Sequence, residues 1–548
     1  MLWIAVHLPL LSLETFAATL PPDDPADSGD SADPAGPGRA LALVDAHHIV
    51  SANAAARALG VRPGLKRATA LALVPRIVLG QADAARDAQA LLAVAHTALA
   101  FTPMVAIEPA PVDAVAAAPH TVLLEVHQSL RYFGGLPALR ARLLAALAPL
   151  GHRVHLVSAA TPLGAALLAR AHRSLDCADA TAMRQALAAA PVWLLGPGRA
   201  HWEALQGMAL CTLADLGRMP RAGLARRFGE RVLDELDRAT GARPDPREPI
   251  ALPPTFETRL ELFARADTGE QLLHGAAVLL ARLVAWLAAR HAFARRFTLL
   301  MHHERRSRHD AASVTLTPLE IALAEPSRDS AHLLALLRER LLALQLPAPT
   351  LELGLHAHDI ARRAPPNAEL FPTQASEHEG LTRLIERLQA RLGPARLTRI
   401  QAVADHRPER ATVSRPADVA LRLARSVPGA TARRGAAMNA GLNAAVNTAM
   451  VRPVWLLQHP EPLRERGAAR SAEAAPGSTE LPELLLDGQA LQLISGPERI
   501  ETGWWDAGLV ERDYYIAQQP GGALVWVYRA RRPAPPPAPN WFLQGRFG

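Results

Sequence analysis

Between residues 39 and 175 the chain alternates short apolar runs with Ala/Leu-rich stretches of helical period, and this alternation constrains the fold more than any single motif. ALALVDAHHIVSANAAARALGV reads as strand, turn and a short helix ending at Gly60. Residues 81–99 read as a helix, and HTVLLEVHQSLRYFGG as a strand running into a Gly turn. A helix (Leu136–Leu147), a strand (Arg153–Ser158) and a helix (Pro162–Arg173) follow. Such interleaving predicts an α/β or α+β first domain with helices packed on a sheet. The opening MLWIAVHLPLLSLE fits that domain as a buried first strand. It makes a poor secretion signal: no Lys or Arg precedes the apolar run, and Pro9 and Glu14 interrupt it.

A chain of 548 residues exceeds what one core organises and predicts three or more domains. Residues 21–38 are rich in Pro, Gly, Asp and Ser, the composition of an exposed, disordered loop. Residues 190–245 change to short helices. Their LGPGRA turn places the Gly196 and Gly198 amides at a helix start, where N–H groups can hold a phosphate. A plain helical turn is the alternative. Residues 250–360 offer two helices and four strands, an assembly of helices on one sheet. Residues 363–375 read as a linker. Residues 403–480 are low in aromatics, with disorder expected near 426–449 and 465–480. Three of the four tyrosines and four of the nine tryptophans then crowd between Trp504 and Trp541, as in a small β-rich module.

No uninterrupted apolar run reaches the roughly 20 residues of a membrane span, so no membrane partner is expected. Cys177 and Cys211 lack metal-ligand spacing and read as buried thiols of a reducing cytoplasm. The formal charge of +7 favours polyanionic partners. Nearly all of the positive charge is arginine, Lys66 being the single lysine. Arg290, Arg295, Arg296, Arg305, Arg306 and Arg308 lie close together, opposed by Glu304 and Asp310. Strand alternation would set several of them on one face for phosphate contact. A solvated basic hairpin is the alternative. His291, His302, His303 and His309 read as polar surface residues.

Three motifs in order, SANAAARALGV, LLEVHQSLRYFGG, and LLGPGRAHWEALQGMALCTLADL with ARRFGERVLDELDRATG, resemble the Y-family (translesion) DNA polymerases over residues 1–360. The terminal GPERIETGWWD…RDYYIA…WVYRA…WFLQGRF is similar to the C-terminal region of ImuB-type proteins, a polymerase-like branch of that family. The resemblance implies an α+β multidomain right hand. Its parts are a palm (1–18 and 86–175), a disordered insertion (19–38), fingers (39–85), a thumb with a helix-hairpin-helix (176–248) and a little finger (249–362). A linker (363–378), a partly disordered stretch (379–480) and an aromatic module (481–548) complete it.

The family's chemistry uses two metal ions held by carboxylates, one on the first strand and an Asp-Glu pair before the "LDV" strand. Aligned from Glu14, the first-strand aspartate falls on Ala5 and the next acid on His7; aligned from LLEV, the pair falls on His120 and Thr121. These side chains do not suit magnesium, which prefers carboxylate oxygens. The resemblance therefore implies a catalytically inactive relative with no metal or other cofactor. Asp113 is the carboxylate that would support the rival reading, an active polymerase. After the last little-finger strand, PPNAELFPTQ carries Leu370 and Phe371, which resemble the Leu-Phe anchor of a sliding-clamp peptide without its glutamine and first leucine; residues that pin the linker to their own domain are the alternative. The expected partners are primer-template DNA, the replicative sliding clamp, a RecA-like ImuA protein and an error-prone replicative-type polymerase. A protein-binding scaffold without DNA affinity is the second rival.

Overall fold

The computed structural model describes residues 1–21, 39–109, 120–177, 179–304, 314–362, 374–417, 452–453, 455–466, 482–506, 508–532 and 539–547. Asp113, Arg305, Arg306, Arg308, Leu370 and Phe371 lie outside the described residues. The chain divides into two compact units, Met1–Arg391 and Leu392–Gly548.

The first unit begins with β1 (Trp3–His7), whose side chains from Trp3 to Val6 are all buried. Then come α1 (Leu11–Ala17) and a small sheet of β2 (Leu41–Asp45), β3 (His48–Ala52) and β4 (Val78–Gln81), in the order β3-β2-β4. Helices α2 (Ala54–Ala58) and α3 (Arg67–Leu73) complete this fingers-like part. Asp83 caps α4 (Ala84–Leu99) by accepting from the Ala85 and Arg86 amides. Next are β5 (Val105–Ile107), β6 (Thr121–Glu125), α5 (Leu130–Phe133), α6 (Leu136–Leu147), β7 (His155–Ala159), α7 (Pro162–Ala171) and β8 (Ser174–Asp176). The palm-like sheet runs β5-β6-β1-β7-β8 with β1 at its centre, antiparallel to both neighbours. A central strand covered on both faces needs a continuous apolar run, and WIAV supplies it.

Six helices form the thumb-like part: α8 (Ala180–Ala189), α9 (Gly196–Ala200), α10 (Trp202–Gly207), α11 (Leu213–Arg218), α12 (Arg221–Phe228) and α13 (Glu230–Thr240). Their apolar side chains share one core with the palm, running from Trp3, Ala5 and Leu123 through Leu167 to Leu205, Val232 and Ala239. The little-finger part contains β9 (Phe256–Ala266), α14 (Gly269–Ala289), β10 (Ala292–His303), β11 (Leu316–Ser327), α15 (Ser330–Leu342) and β12 (Thr350–Arg362). Its sheet order is β11-β10-β12-β9, antiparallel throughout. By length and composition α14 could cross a membrane. Here Leu279, Leu283, Trp286 and Leu287 pack it against the sheet, each worth roughly 1.5–3 kcal/mol of burial. A Cβ on Gly275 would stand 3.0 Å from Leu353 Cδ1, so glycine permits this close approach.

Two expectations change, and a helix appears that the sequence did not signal: α16 (Gln374–Leu392) spans the end of the linker and the start of the partly disordered stretch and docks on the little finger, while residues 426–449 and 467–480 of the segments expected to be disordered lie outside the described residues. Composition hid it because polar contacts make the attachment. The buried Glu386 carboxylate accepts from His332 Nε2 at 2.8 Å and from the Ala324 amide of edge strand β11. Arg383 meets Asp329 at 3.1 Å. His303 is not a surface residue but buried, with Nε2 2.7 Å from Thr317 Oγ1 and Nδ1 3.2 Å from Thr350 Oγ1. Cys211, read as buried, is exposed.

In the second unit β13 (Thr398–Ala402) and β14 (Thr412–Pro416) form an exposed hairpin. The larger sheet uses β15 (Trp455–Pro462), β16 (Arg464–Arg466), β17 (Glu483–Leu486), β18 (Gln489–Thr502), β19 (Val510–Gln518), β20 (Leu524–Ala530) and β21 (Trp541–Arg546). They lie in the order β15-β21-β20-β19-β18-β17-β16. The aromatic module thus recruits two strands from before residue 481. Aromatics line one face, where Tyr514 stacks on Trp526 at 4.1 Å and Tyr528 on Phe542 at 5.1 Å.

Candidate functional site

The register of the palm strands sets what stands at their tips. Ala5 lies opposite Leu123 on β6 and Val157 on β7, while His7 lies opposite Thr121 and His155. Ala5 is fully buried, and its methyl belongs to the apolar core that continues into α7 and the thumb. A carboxylate there would be desolvated at a cost of several kcal/mol unless a cation joined it. His7 Nδ1 is 3.1 Å from Thr121 Oγ1, and its ring centroid is 5.9 Å from that of His155. His155 Nδ1 lies 3.1 Å from the Ala169 carbonyl oxygen, so it donates there.

His120 has φ +36°, and its carbonyl accepts from the Leu8 amide at 3.0 Å. Its Nε2 lies 3.7 Å from Asp87 Oδ2 on α4. Burial lowers the His120 pKa below the usual imidazole value, and the Asp87 charge acts in the opposite direction. Asp87 accepts from Thr15 Oγ1 at 2.7 Å and from the Ser12 hydroxyl, so two hydroxyls of α1 already occupy it. Glu125 accepts from the Leu2 and His127 amides, both at 3.3 Å, and so joins the start of β1 to the end of β6. Among the described residues no group of three or more His, Cys, Asp or Glu could hold a metal ion.

Glu108 is a carboxylate that the sequence did not single out. Glu108 follows β5, its amide donating to the Thr121 carbonyl at 2.9 Å. It is buried and pairs with Arg170 of α7. The available signal was an acid directly after the apolar triplet VAI, in the strand beside β6. Arg170 also donates to the Leu194 carbonyl at 3.2 Å, tying palm to thumb.

At the thumb hairpin, the Gly196 amide donates to Glu235 Oε2 at 3.0 Å. Burial pushes the Glu235 pKa up, while the Gly196 hydrogen bond and then Arg231 and Arg170 pull it down. The amide expected to meet a phosphate thus serves a carboxylate of its own domain. Gly198 sits within α9, a helix of five residues. Phosphate at this hairpin would compete with Glu235.

The described arginines of the expected basic face fall in three different settings. Arg290 ends α14 rather than joining the sheet, and its guanidinium lies 5.1 Å from the Trp286 ring centre. Arg295 is exposed at an irregularity of β10 between Ala294 and Arg296. Arg296 does point outward, but it pairs with Glu320 at 2.9 Å and approaches Asp359 at 3.9 Å. Cross-strand register places Glu257, Glu261, Glu320, Glu352 and Asp359 on that same open face. Arg259 and Arg296 oppose them there, Arg265 near the end of β9 reaches Glu304 at 3.8 Å, and His302 and His356 lie 3.8 Å and 3.2 Å from Glu352 and Glu257. Two arginines facing five carboxylates make no phosphate grip among the described residues, and Arg305, Arg306 and Arg308 of the expected basic face lie outside them.

No family model matches the chain. Protein ImuB of Caulobacter vibrioides, strain NA1000 / CB15N, is 30% identical over 502 residues, covering 89% of this chain and 100% of the relative. Protein ImuB of strain ATCC 19089 / CIP 103742 / CB 15 matches equally. Among solved structures, a Dbh ternary complex (16% identical, TM-score 0.35) and an insertion ternary complex of Dbh DNA polymerase (15%, 0.36) each cover 66% of this chain and 99% of their own. DinB from Sulfolobus solfataricus matches with the same coverage at 16% identity and a TM-score of 0.34. The identity to the two Caulobacter proteins, over their full length, shows that the chain belongs to the ImuB family.

Proposed function

We propose that this polymerase-like member of the ImuB family is a non-catalytic adaptor in damage-induced translesion synthesis and mutagenesis. It would bind primer-template DNA and the sliding clamp, and bring an active error-prone polymerase to the lesion in company with an ImuA partner. The cytoplasm is the proposed setting. The observation that carries the reading is Ala5, at the centre of the palm sheet, with its methyl inside the apolar core. The neighbouring polar groups support it through their own contacts: His7 with Thr121, Asp87 with two hydroxyls, and Glu108 with Arg170.

Glu108 is the observation that favours the rival, an active enzyme, because it stands beside Thr121. Primer extension by the purified chain with magnesium or manganese decides between them. No templated incorporation is expected, and none should appear in Ala5→Asp, whose other ligand positions remain His120 and Thr121. Metal-dependent extension lost in Asp113→Asn or Glu108→Gln would overturn the adaptor reading. The clamp attachment rests on Leu370 and Phe371, and Leu370→Ala with Phe371→Ala should abolish clamp capture while leaving the melting temperature unchanged.

A further inference from the structure

Hairpin β13–β14 has an unusual charge arrangement. Arg399 stands directly opposite Arg415, both are exposed, and no carboxylate among the described residues pairs with either. Like charges placed directly across a ladder destabilise it unless an anion lies between or over them. Arg396, just before the hairpin, is also exposed and unpaired among the described residues. Ile400 on the same strand is 77% exposed.

The turn of this hairpin is clasped to a second exposed element. Arg407, 3% exposed, reaches Asp405 Oδ2 at 2.7 Å, Asp506 Oδ2 at 2.6 Å and the Gly508 carbonyl at 3.1 Å. Arg410 adds a contact to Asp506 at 2.9 Å. The clasp holds Asp506 and the Gly508 carbonyl, and Gly503 has φ +81° and any Cβ on it would strike the Gly508 carbonyl. On this braced turn Trp504 is 78% exposed and Trp505 55% exposed, their rings 5.4 Å apart and nearly perpendicular. The Arg407 guanidinium also lies 5.9 Å from the Trp505 ring centre, and its ion pairs hold the backbone of both indoles in place.

Unpaired arginines on a hairpin whose turn is clasped to a pair of exposed aromatics match the chemistry of a flexible polyanion with accessible flat faces. We propose that hairpin β13–β14 and the Trp504–Trp505 turn form a sequence-independent site for single-stranded nucleic acid, with arginines on phosphates and indoles stacked on bases. Duplex DNA does not suit it, because base pairs hide their faces in the stack. The site lies wholly within the second unit and is independent of how the palm or little finger meets primer-template DNA.

The test uses the full chain and a labelled oligo(dT), reading anisotropy across a salt series together with tryptophan emission. The parent should bind with quenched emission. Trp504→Ala with Trp505→Ala should weaken binding about tenfold or more and remove the quench. Arg399→Ser with Arg415→Ser should reduce the magnitude of the salt slope by about 1.4, roughly 0.7 for each phosphate contact on a single strand. That arginine variant should melt no lower than the parent, since it removes a repulsive pair. Trp504→Phe with Trp505→Phe, which keeps aromatic faces, should retain affinity and guards against misfolding of the alanine variant. Unchanged oligo(dT) affinity and slope in both variants would overturn the proposal, as would equal loss of blunt duplex binding. Poly-glutamate binding that disappears in the arginine variant while oligo(dT) binding persists would overturn it in favour of an acidic protein partner.

Discussion

His96 illustrates how burial alone can set a residue's behaviour. It lies on α4, 4% exposed, with Nε2 buried and lacking a hydrogen-bond partner among the described residues. Desolvation lowers its pKa to about 4. The folded value is therefore below the unfolded one, and the unfolded chain binds more protons over the interval between them. Stability attributable to His96 is intact above about pH 6.5 and falls as pH drops towards 4, then levels off. Across that interval the loss is on the order of 3 kcal/mol. His96→Leu should flatten that part of the stability–pH curve, as measured by urea melts at pH 7, 5.5 and 4.5. A variant that keeps the parent's slope would place the acid sensitivity elsewhere.

At the scale of elements, local pattern exposes the palm and conceals the little finger's charge. Ala5, His7, His120 and Thr121 follow from motifs adjacent in sequence, and the strand register brings them to neighbouring positions. The arginines of β10 are equally visible, but Glu320 and Asp359, the acids that neutralise Arg296, come from β11 and β12, far along the sequence. Glu108 and Glu235 stay hidden for the same reason: their partners, Arg170 and the Gly196 amide, lie 62 and 39 residues distant. The acids should repel a phosphate backbone at this face. Changing Glu320, Glu352 and Asp359 to their amides should raise duplex affinity about tenfold at low salt, with a steeper salt slope, because repulsion between charges is strongest there. Unaltered affinity would put DNA on another surface.

Helix α16 belongs to this scale too. Its Glu386 satisfies an amide on the outer edge of β11, and such edges otherwise invite pairing with other chains. Glu386→Ala leaves His332 and the Ala324 amide without their acceptor, a cost of about 2–4 kcal/mol. Hydrogen exchange of the Ala324 amide should accelerate and α16 should become protease-sensitive. Protection equal to the parent's would mean that the apolar contact of Ala390 suffices to hold the helix.

For the whole molecule, the two units have separate cores, and their aromatic content differs as the sequence suggests. The palm and thumb, by contrast, share a core that Ala5 leaves unbroken and that Arg170 fastens at the margin. A metal-binding palm must keep a hydrated, charged notch under its central strand; this chain fills that position with hydrocarbon. The consequence is mechanical. Palm and thumb should behave as one calorimetric block, absorbing heat in a single transition, while the C-terminal unit melts in its own. Substituting Leu205 in the thumb by alanine should move the block's transition without splitting it, and resolved palm and thumb peaks would show that the shared hydrocarbon does not couple them. Such a block cannot flex its thumb cheaply against its palm, so it would present whatever it holds at a fixed angle, as a bracket does rather than a hand.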